Sequence, residues 1–255
     1  MLALCGCSPG NETKPGPAAV NQKCNHESAH YDYIVATDKF DSAPFVVNSD
    51  VRNPEGLNFD IIEALGRDQG ISFEIQILNS INAMESLRVG LCDAIIFSFE
   101  IPEEYKELFL ASKPYFTDGY VFATSSGYEG AFGPGMEGKT VGIFKMGKET
   151  VPARFYSLKY GFNIEEYLDR ERLYEDVKNK SIDFIFQRYS TVGSMIKKNG
   201  GVKIVGEKTF ETEYRIYVMK GNESLLEKIN DGIDNITESG EYETILTRYI
   251  DSGLP

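Results

Sequence analysis

Between Tyr33 and Phe99 the apolar period of the chain switches back and forth, and this switching narrows the fold more than any single motif. The stretch ISFEIQIL (71–78) puts Ile71, Phe73, Ile75 and Ile77 on one face, the period-two signature of a strand. The segment before it, NFDIIEALGRDQG (58–70), spaces Phe59, Ile62 and Leu65 as a helix does and stops at Gly70. YIVATD (33–38) is a short apolar strand, and SINAMESLRVG (80–90) is helical again, opening at Ser80. CDAIIFSF (92–99) is apolar enough for a central parallel strand. The order βαβαβ is one half of a doubly wound sheet.

The pattern then breaks. SKPYFTDGYVFATSS (112–126) is extended, and a Gly-rich turn region follows it. A second βα series runs through KTVGIFK, KETVPARFYSLKYG, FNIEEYL, RERLYEDVKNKS, IDFIFQR, YSTVGSMIKK and VKIVGEK. YRIYVMKG then leads to an amphipathic helix from Asn222, striped by Leu226, Ile229, Ile233 and Ile236, and EYETILTRYI forms a last helix. Two βαβ sets joined by extended segments predict two α/β lobes with a cleft between them.

The 42% hydrophobic and 25% charged composition is that of a soluble globular chain. The net charge of -13 argues against nucleic acid, whose phosphates would repel it, and against docking on anionic lipid. No apolar run is long enough for a membrane helix. The cysteines Cys5, Cys7, Cys24 and Cys92 fit no zinc module and no disulfide framework. Cys92 reads as a small packed thiol, with a Cys24–Cys92 bridge as the alternative. Leu4-Cys5-Gly6-Cys7 resembles a bacterial lipobox with Cys7 as the lipidated residue, and residues 1–30 that contain it read as a flexible tether. Both histidines, His26 and His30, lie in that tether, so a Ser-His or Cys-His catalytic pair is excluded from the folded region. Cys24-x-His26-x3-His30 has no scaffold to fix metal ligands, and neither a metal nor a cofactor is expected.

Candidate chemistry gathers where strands end, because ligands of open α/β sheets sit at carboxyl ends. Asp38 ends the first strand, Glu100 follows the third, and Arg188 ends IDFIFQR; Phe40, beside Asp38, offers an aromatic face or is simply core. No Gly-rich phosphate loop ending in GK[ST] occurs. KMGKET (145–150) follows a strand and opens a helix, so its backbone N–H groups could receive an anion, or it is an ordinary connection.

Several segments, in order, resemble the type II periplasmic solute-binding proteins that serve polar-amino-acid ABC transporters. IVATDKFDSAPF resembles the opening strand and loop of that family, and GLNFDIIEAL its Gly-Phe-Asp helix start (Gly56, Phe59, Asp60). LRVGLCDAIIFSF, ASKPYF, KTVGIFKMGKE, SIDFIFQRYS and ESGEYETILTRYI resemble its later landmarks. The likeness spans 33–252. It implies a two-lobed type II periplasmic-binding-protein fold of the α/β class, two doubly wound sheets joined by two hinge strands. Lobe 1 would comprise 33–118 plus 213–255, and lobe 2 would comprise 119–212. It further implies a monomer that closes on a small polar or charged solute and docks on ABC permease subunits in the periplasm or at the cell surface, and the lipobox-like start adds that the membrane is reached only through a lipid on Cys7.

The resemblance also implies a binding recipe from which this chain departs. Ser98 stands in its usual place. The following Thr/Ser position is Glu100, and the Arg that should clamp a ligand carboxylate is Tyr105. The second-lobe Asp that receives an ammonium is Arg188, and Gly147-Lys148 replaces Gly-Thr or Gly-Ser. A standard L-amino acid in the family pose would meet like charges at both ends, so it is not the expected ligand. Asp38, Phe40, Ser98, Glu100, Tyr105, Lys148 and Arg188 are the expected contacts. Three arrangements fit: a ligand turned around, a ligand of another class, or a cross-cleft Glu100–Arg188 pair in a non-transport sensor or docking module. A cyclohexadienyl-dehydratase-like enzyme, with Glu100 as a buried acid, is the alternative of a different class; a non-enzymatic protein is expected.

Overall fold

A computed structural model describes residues 31–39 and 43–251, and the chain from Tyr31 onward forms one compact unit. Strands β1 (Tyr33–Asp38), β2 (Phe73–Leu78) and β3 (Ala94–Ile96) alternate with helices α1 (Leu57–Gln69) and α2 (Ser80–Arg88). A short α3 (Glu103–Lys106) leads into the long β4 (Phe109–Ser125). The second series is β5 (Thr140–Phe144), α4 (Thr150–Tyr160), β6 (Asn163–Tyr167), α5 (Arg170–Lys178), β7 (Phe184–Arg188) and α6 (Tyr189–Asn199). Strand β8 (Val202–Met219) and helices α7 (Glu223–Glu238) and α8 (Glu241–Tyr249) close the described chain. No described helix is long and apolar enough to cross a membrane.

The strands form one continuous sheet in the order β2-β1-β3-β8-β4-β7-β5-β6. β1 pairs parallel with β2 and β3, and β5 pairs parallel with β6 and β7. The antiparallel β4–β8 ribbon runs from Phe109↔Met219 to Ser125↔Val202 and so welds two parallel halves edge to edge. The sequence suggested two strands at 202–208 and 214–221; they are one, because β4 pairs with both segments, from Val202 to Met219. β3 is shorter than the apolar run 92–99 suggests: its backbone leaves the ladder after Ile96, so Ser98 and Glu100 lie in the loop beyond it.

The ribbon is not regular. Asp118 faces Thr212, Tyr120 faces Thr209 and Phe122 faces Val205, so β8 carries extra residues on both sides of Thr209. Such bulges bend a strand and sharpen its twist. Phe210, within the bulge, has φ of 50°, a left-handed conformation that costs a non-glycine residue energy.

One apolar core packs α1, α7 and α8 on the first half of the sheet and α5 and α6 on the second, through Leu57, Leu65, Ile229, Tyr174, Val192 and Ile250. The Asp251 N–H donates to the Gly193 carbonyl at 3.1 Å, which seats the chain's end on α6. On the opposite face, Met84, Leu87, Ile95 and Phe97 make one cluster under α2, and Phe122, Phe184 and Phe186 make another under α4.

Two buried polar networks position the strand ends. Asn58 Nδ2 donates to Thr37 Oγ1 (3.2 Å), Thr37 Oγ1 donates to the Ile96 carbonyl (3.0 Å), and Tyr115 Oη lies 3.0 Å from Asn58 Oδ1 and 2.9 Å from the Phe97 carbonyl. Asp118 is 1% exposed. Its Oδ1 accepts from the Ser190 and Gly119 N–H groups (3.1 and 2.9 Å), and its Oδ2 accepts from Ser190 Oγ and Tyr214 Oη (2.7 and 3.0 Å). One carboxylate thus joins β4, β8 and the first turn of α6.

Three outcomes follow from this packing. Asp118→Ala leaves several buried donors unmatched and should cost about 3 kcal/mol or more. At roughly 2–4 °C per kcal/mol for a chain of this size, a melting point within 2 °C of wild type contradicts the bridging role. Gly56 has φ of 147°, and a Cβ there would collide with the Phe45 carbonyl; Gly56→Ala should lose about 1–3 kcal/mol from strain alone in a urea titration. Cys92 is a free, buried thiol, and burial pushes its pKa up to about 12. With Cys5, Cys7 and Cys24 replaced by Ser, native protein should resist a thiol reagent at pH 8 and react fully in denaturant.

Candidate functional site

The carboxyl ends of the parallel strands β5, β6 and β7 converge on a group of charged and amide side chains. Arg188 is the last residue of β7, and its guanidinium lies 4.7 Å from the centre of the Tyr120 ring. Arg170 opens α5, just beyond β6, and stacks 3.9 Å from the centre of the Phe144 ring. Asp169 caps that helix by accepting from the Glu171 and Arg172 N–H groups at 2.8 and 3.2 Å, which fixes where Arg170 emerges. Glu149 occupies the cap position of α4 beyond β5. Gln187 precedes Arg188 on β7.

These side chains share an unusual property. Glu149 Oε2, Arg170 Nε, Arg188 Nη1 and both amide atoms of Gln187 are buried, with no hydrogen-bond partner within the protein. Glu149 and Gln187 are each only 2% exposed. Buried polar groups are ordinarily satisfied, and a cluster that is not points to a place where a polar solute binds. Burial is the largest influence on Glu149 and raises its pKa above the ordinary value, although its own backbone N–H, and after it Arg170 and Arg188, pull the other way. At Arg188 burial opposes the charge, and Tyr214, Tyr120, Asp118 and Glu149 more than offset it.

The expected contacts on the first half of the sheet are placed differently. Asp38 is buried at the end of β1. Ser98 is half-buried in the loop after β3. Glu100 is 60% exposed and pairs with Lys106 at 3.8 Å, so the cross-cleft pair with Arg188 is not formed. Tyr105 turns to α2, where its hydroxyl donates to Glu85 Oε1 at 2.8 Å and its ring stacks on Phe109. Lys148 is exposed at the mouth of the β5–α4 loop. Phe40, Cys7, Cys24, His26 and His30 lie outside the described residues. The buried acid that a dehydratase-like site would need is not at Glu100.

Two open concavities complete the picture. One of about 520 Å³ lies beside the β4–β8 bend and is lined by Glu100, Lys106, Thr117, Glu211 and Arg215. A larger one, about 1000 Å³, runs along the edge strand β2 and α1, between Phe73–Leu78 and Arg67. No unpartnered buried polar atom lies in that second lining, so size alone does not make it the site.

Glu149, Arg170, Gln187 and Asp118 were not singled out by sequence reasoning, yet each leaves a trace there. Arg170 puts a positive charge in the first turn of a helix, against the macrodipole. Gln187 and Asp118 are polar residues beside buried apolar strand positions. Glu149 follows Gly147-Lys148 in the helix-opening loop, where only the backbone N–H groups drew attention.

Comparison with known proteins agrees with this architecture. The chain is 26% identical over 214 residues to an arginine-binding periplasmic protein of Mannheimia haemolytica, covering 81% of this chain and 86% of that one. Its fold resembles substrate binding domain 2 of GlnP from Lactococcus lactis in the open conformation: TM-score 0.76, 24% identity, 86% of this chain and 95% of that one. An ancestral arginine-binding protein bound to arginine superposes less well: TM-score 0.55, 25% identity, 86% of this chain and 98% of that one. The two-lobed type II periplasmic-binding-protein fold is thus the fold of this chain. A family profile matches residues 33–252, and the protein belongs to the bacterial extracellular solute-binding proteins, family 3.

Proposed function

We propose that the chain is the extracytoplasmic receptor of an ABC-type uptake system, and that its cleft closes on a small solute bearing a carboxylate. The carboxylate goes to Arg170 and Arg188 on the second lobe, and any cationic end of the solute faces Asp38 and Glu100 on the first. The observation that carries this is the set of unpartnered buried polar atoms at the ends of β5–β7, where two arginines offer free N–H donors. The relative from Mannheimia haemolytica is named for binding arginine. A standard L-amino acid in the pose that the family recipe implies is not the expected ligand here, because Tyr105, which holds the position of the clamping Arg, is committed to Glu85.

The bulged β4–β8 ribbon around Asp118–Tyr120 and Thr209–Thr212 supplies the hinge between lobe 1 (33–118 and 213–255) and lobe 2 (119–212). Cys7 carries the lipid within the tether of residues 1–30, so that a monomer is presented to its permease.

A thermal-shift panel of amino acids, ω-amino acids, amines and dicarboxylates tests the reading. A solute at a hundred times its dissociation constant adds about 2.7 kcal/mol, a rise of several degrees for this size. Arg188→Gln should abolish the shift for carboxylate-bearing hits, and Glu100→Thr should weaken only those that also carry an amine. A flat panel, or hits confined to amines without a carboxylate, would overturn the assignment.

A further inference from the structure

Glu149 is the one member of the cluster whose charge opposes the proposed ligand. It stands at the start of α4, an eleven-residue helix, and makes no side-chain cap hydrogen bond. A Cβ on Gly147 would overlap its carboxylate, so the side chain folds back over the Gly147–Lys148 loop instead of reaching solvent. Its Oε2 is buried and unpartnered. The charged and titratable groups that act on it are Arg170 from α5, Arg188 from β7, and Asp118 and Tyr120 from β4. A helix N-terminus with two arginines nearby is an anion receptor, and here the chain's own carboxylate stands in it.

We propose that Glu149 couples solute capture to protonation: a carboxylate-bearing solute enters the place between the α4 N-terminus, Arg170 and Arg188 only when Glu149 takes up one proton from solvent. The protonated Glu149 then donates a hydrogen bond to the solute carboxylate, and the two arginines face a single negative charge instead of two. This rests on the carboxylate assignment above. The ligand class it names is a monocarboxylate end, held by a neutral acid and two guanidinium groups. The chemistry is that of paired carboxyl groups, which cannot both ionise at close range.

Linkage sets the signs. Because burial raises the pKa of Glu149 in the folded state, the stability tied to its protonation is present below the ordinary carboxylate range. It is lost as pH rises through the raised value. The ligand-free protein should therefore lose melting temperature relative to Glu149→Gln as pH climbs from 4.5 towards 8. Capture of a carboxylate should weaken up to tenfold per pH unit over the range where Glu149 is ionised.

The test uses the full chain and sodium acetate as the minimal carboxylate, with sodium chloride at matched ionic strength as reference. Acetate should stabilise wild type at pH 5 and progressively less towards pH 8. It should stabilise Glu149→Gln equally at all pH values and leave Arg188→Gln unaffected. Should Glu149→Gln fail to fold, calorimetry of wild type in two buffers of different ionisation enthalpy gives the same answer. One proton taken up per acetate at pH 8 supports the coupling; none overturns it. Parallel pH curves for wild type and Glu149→Gln overturn it too, as does an acetate effect absent from both. A panel hit whose affinity ignores pH would sink the coupling alone and leave the carrier reading intact.

Discussion

The buried Asp118 carboxylate is the contact on which the rest of the site depends. It accepts hydrogen bonds from β8 through Tyr214 and from the first turn of α6 through Ser190. Ser190 lies two residues beyond Arg188, so the same contact sets where that guanidinium emerges from β7. A carboxylate buried this deeply is tolerable because four donors reach it, two backbone N–H groups and two hydroxyls. The ribbon bends next to this anchor, where β8 carries its extra residues.

The two ends of the cleft are built on opposite principles. On the first half, polar groups are satisfied: Thr37, Asn58 and Tyr115 close a hydrogen-bonded chain, Tyr105 is held by Glu85, and Glu100 is exposed beside Lys106. On the second half, two guanidinium groups, an amide and a carboxylate keep atoms without partners under burial. An unsatisfied buried atom costs more than a satisfied one gains. Natural proteins retain such a cost chiefly where function uses it, and this imbalance is the ground on which the second half is proposed to receive the solute.

Much of the fold could be read from periodicity. The strand-helix order, the helix stripes of α1 and α7, and the stops at Gly70 and Gly161 depend on neighbours within one or two turns, and local pattern carries that information. The misplacements share a cause. β3 ended early and β8 ran on because strand limits are decided by what pairs alongside, and β8 finds its partner in β4, far away in sequence. Among the candidate residues, the position of Arg188 was legible because it closes an apolar run, and it is the last residue of β7. Glu149, Arg170 and Gln187 were not, because nothing in their local spacing reveals that three separate βα turns meet.

By itself the sequence determined the α/β class and the family. These follow from residue identity and near-neighbour spacing, which need no coordinates. The tertiary structure alone decided that the sheet is continuous, that Glu100 pairs with Lys106 and Tyr105 with Glu85, and that Glu149 lies buried with Arg170 and Arg188. Those facts depend on burial and on contacts between segments distant in the chain. Whether a carboxylate is solvated, paired or left without a partner is set by the medium around it and not by its neighbours in sequence.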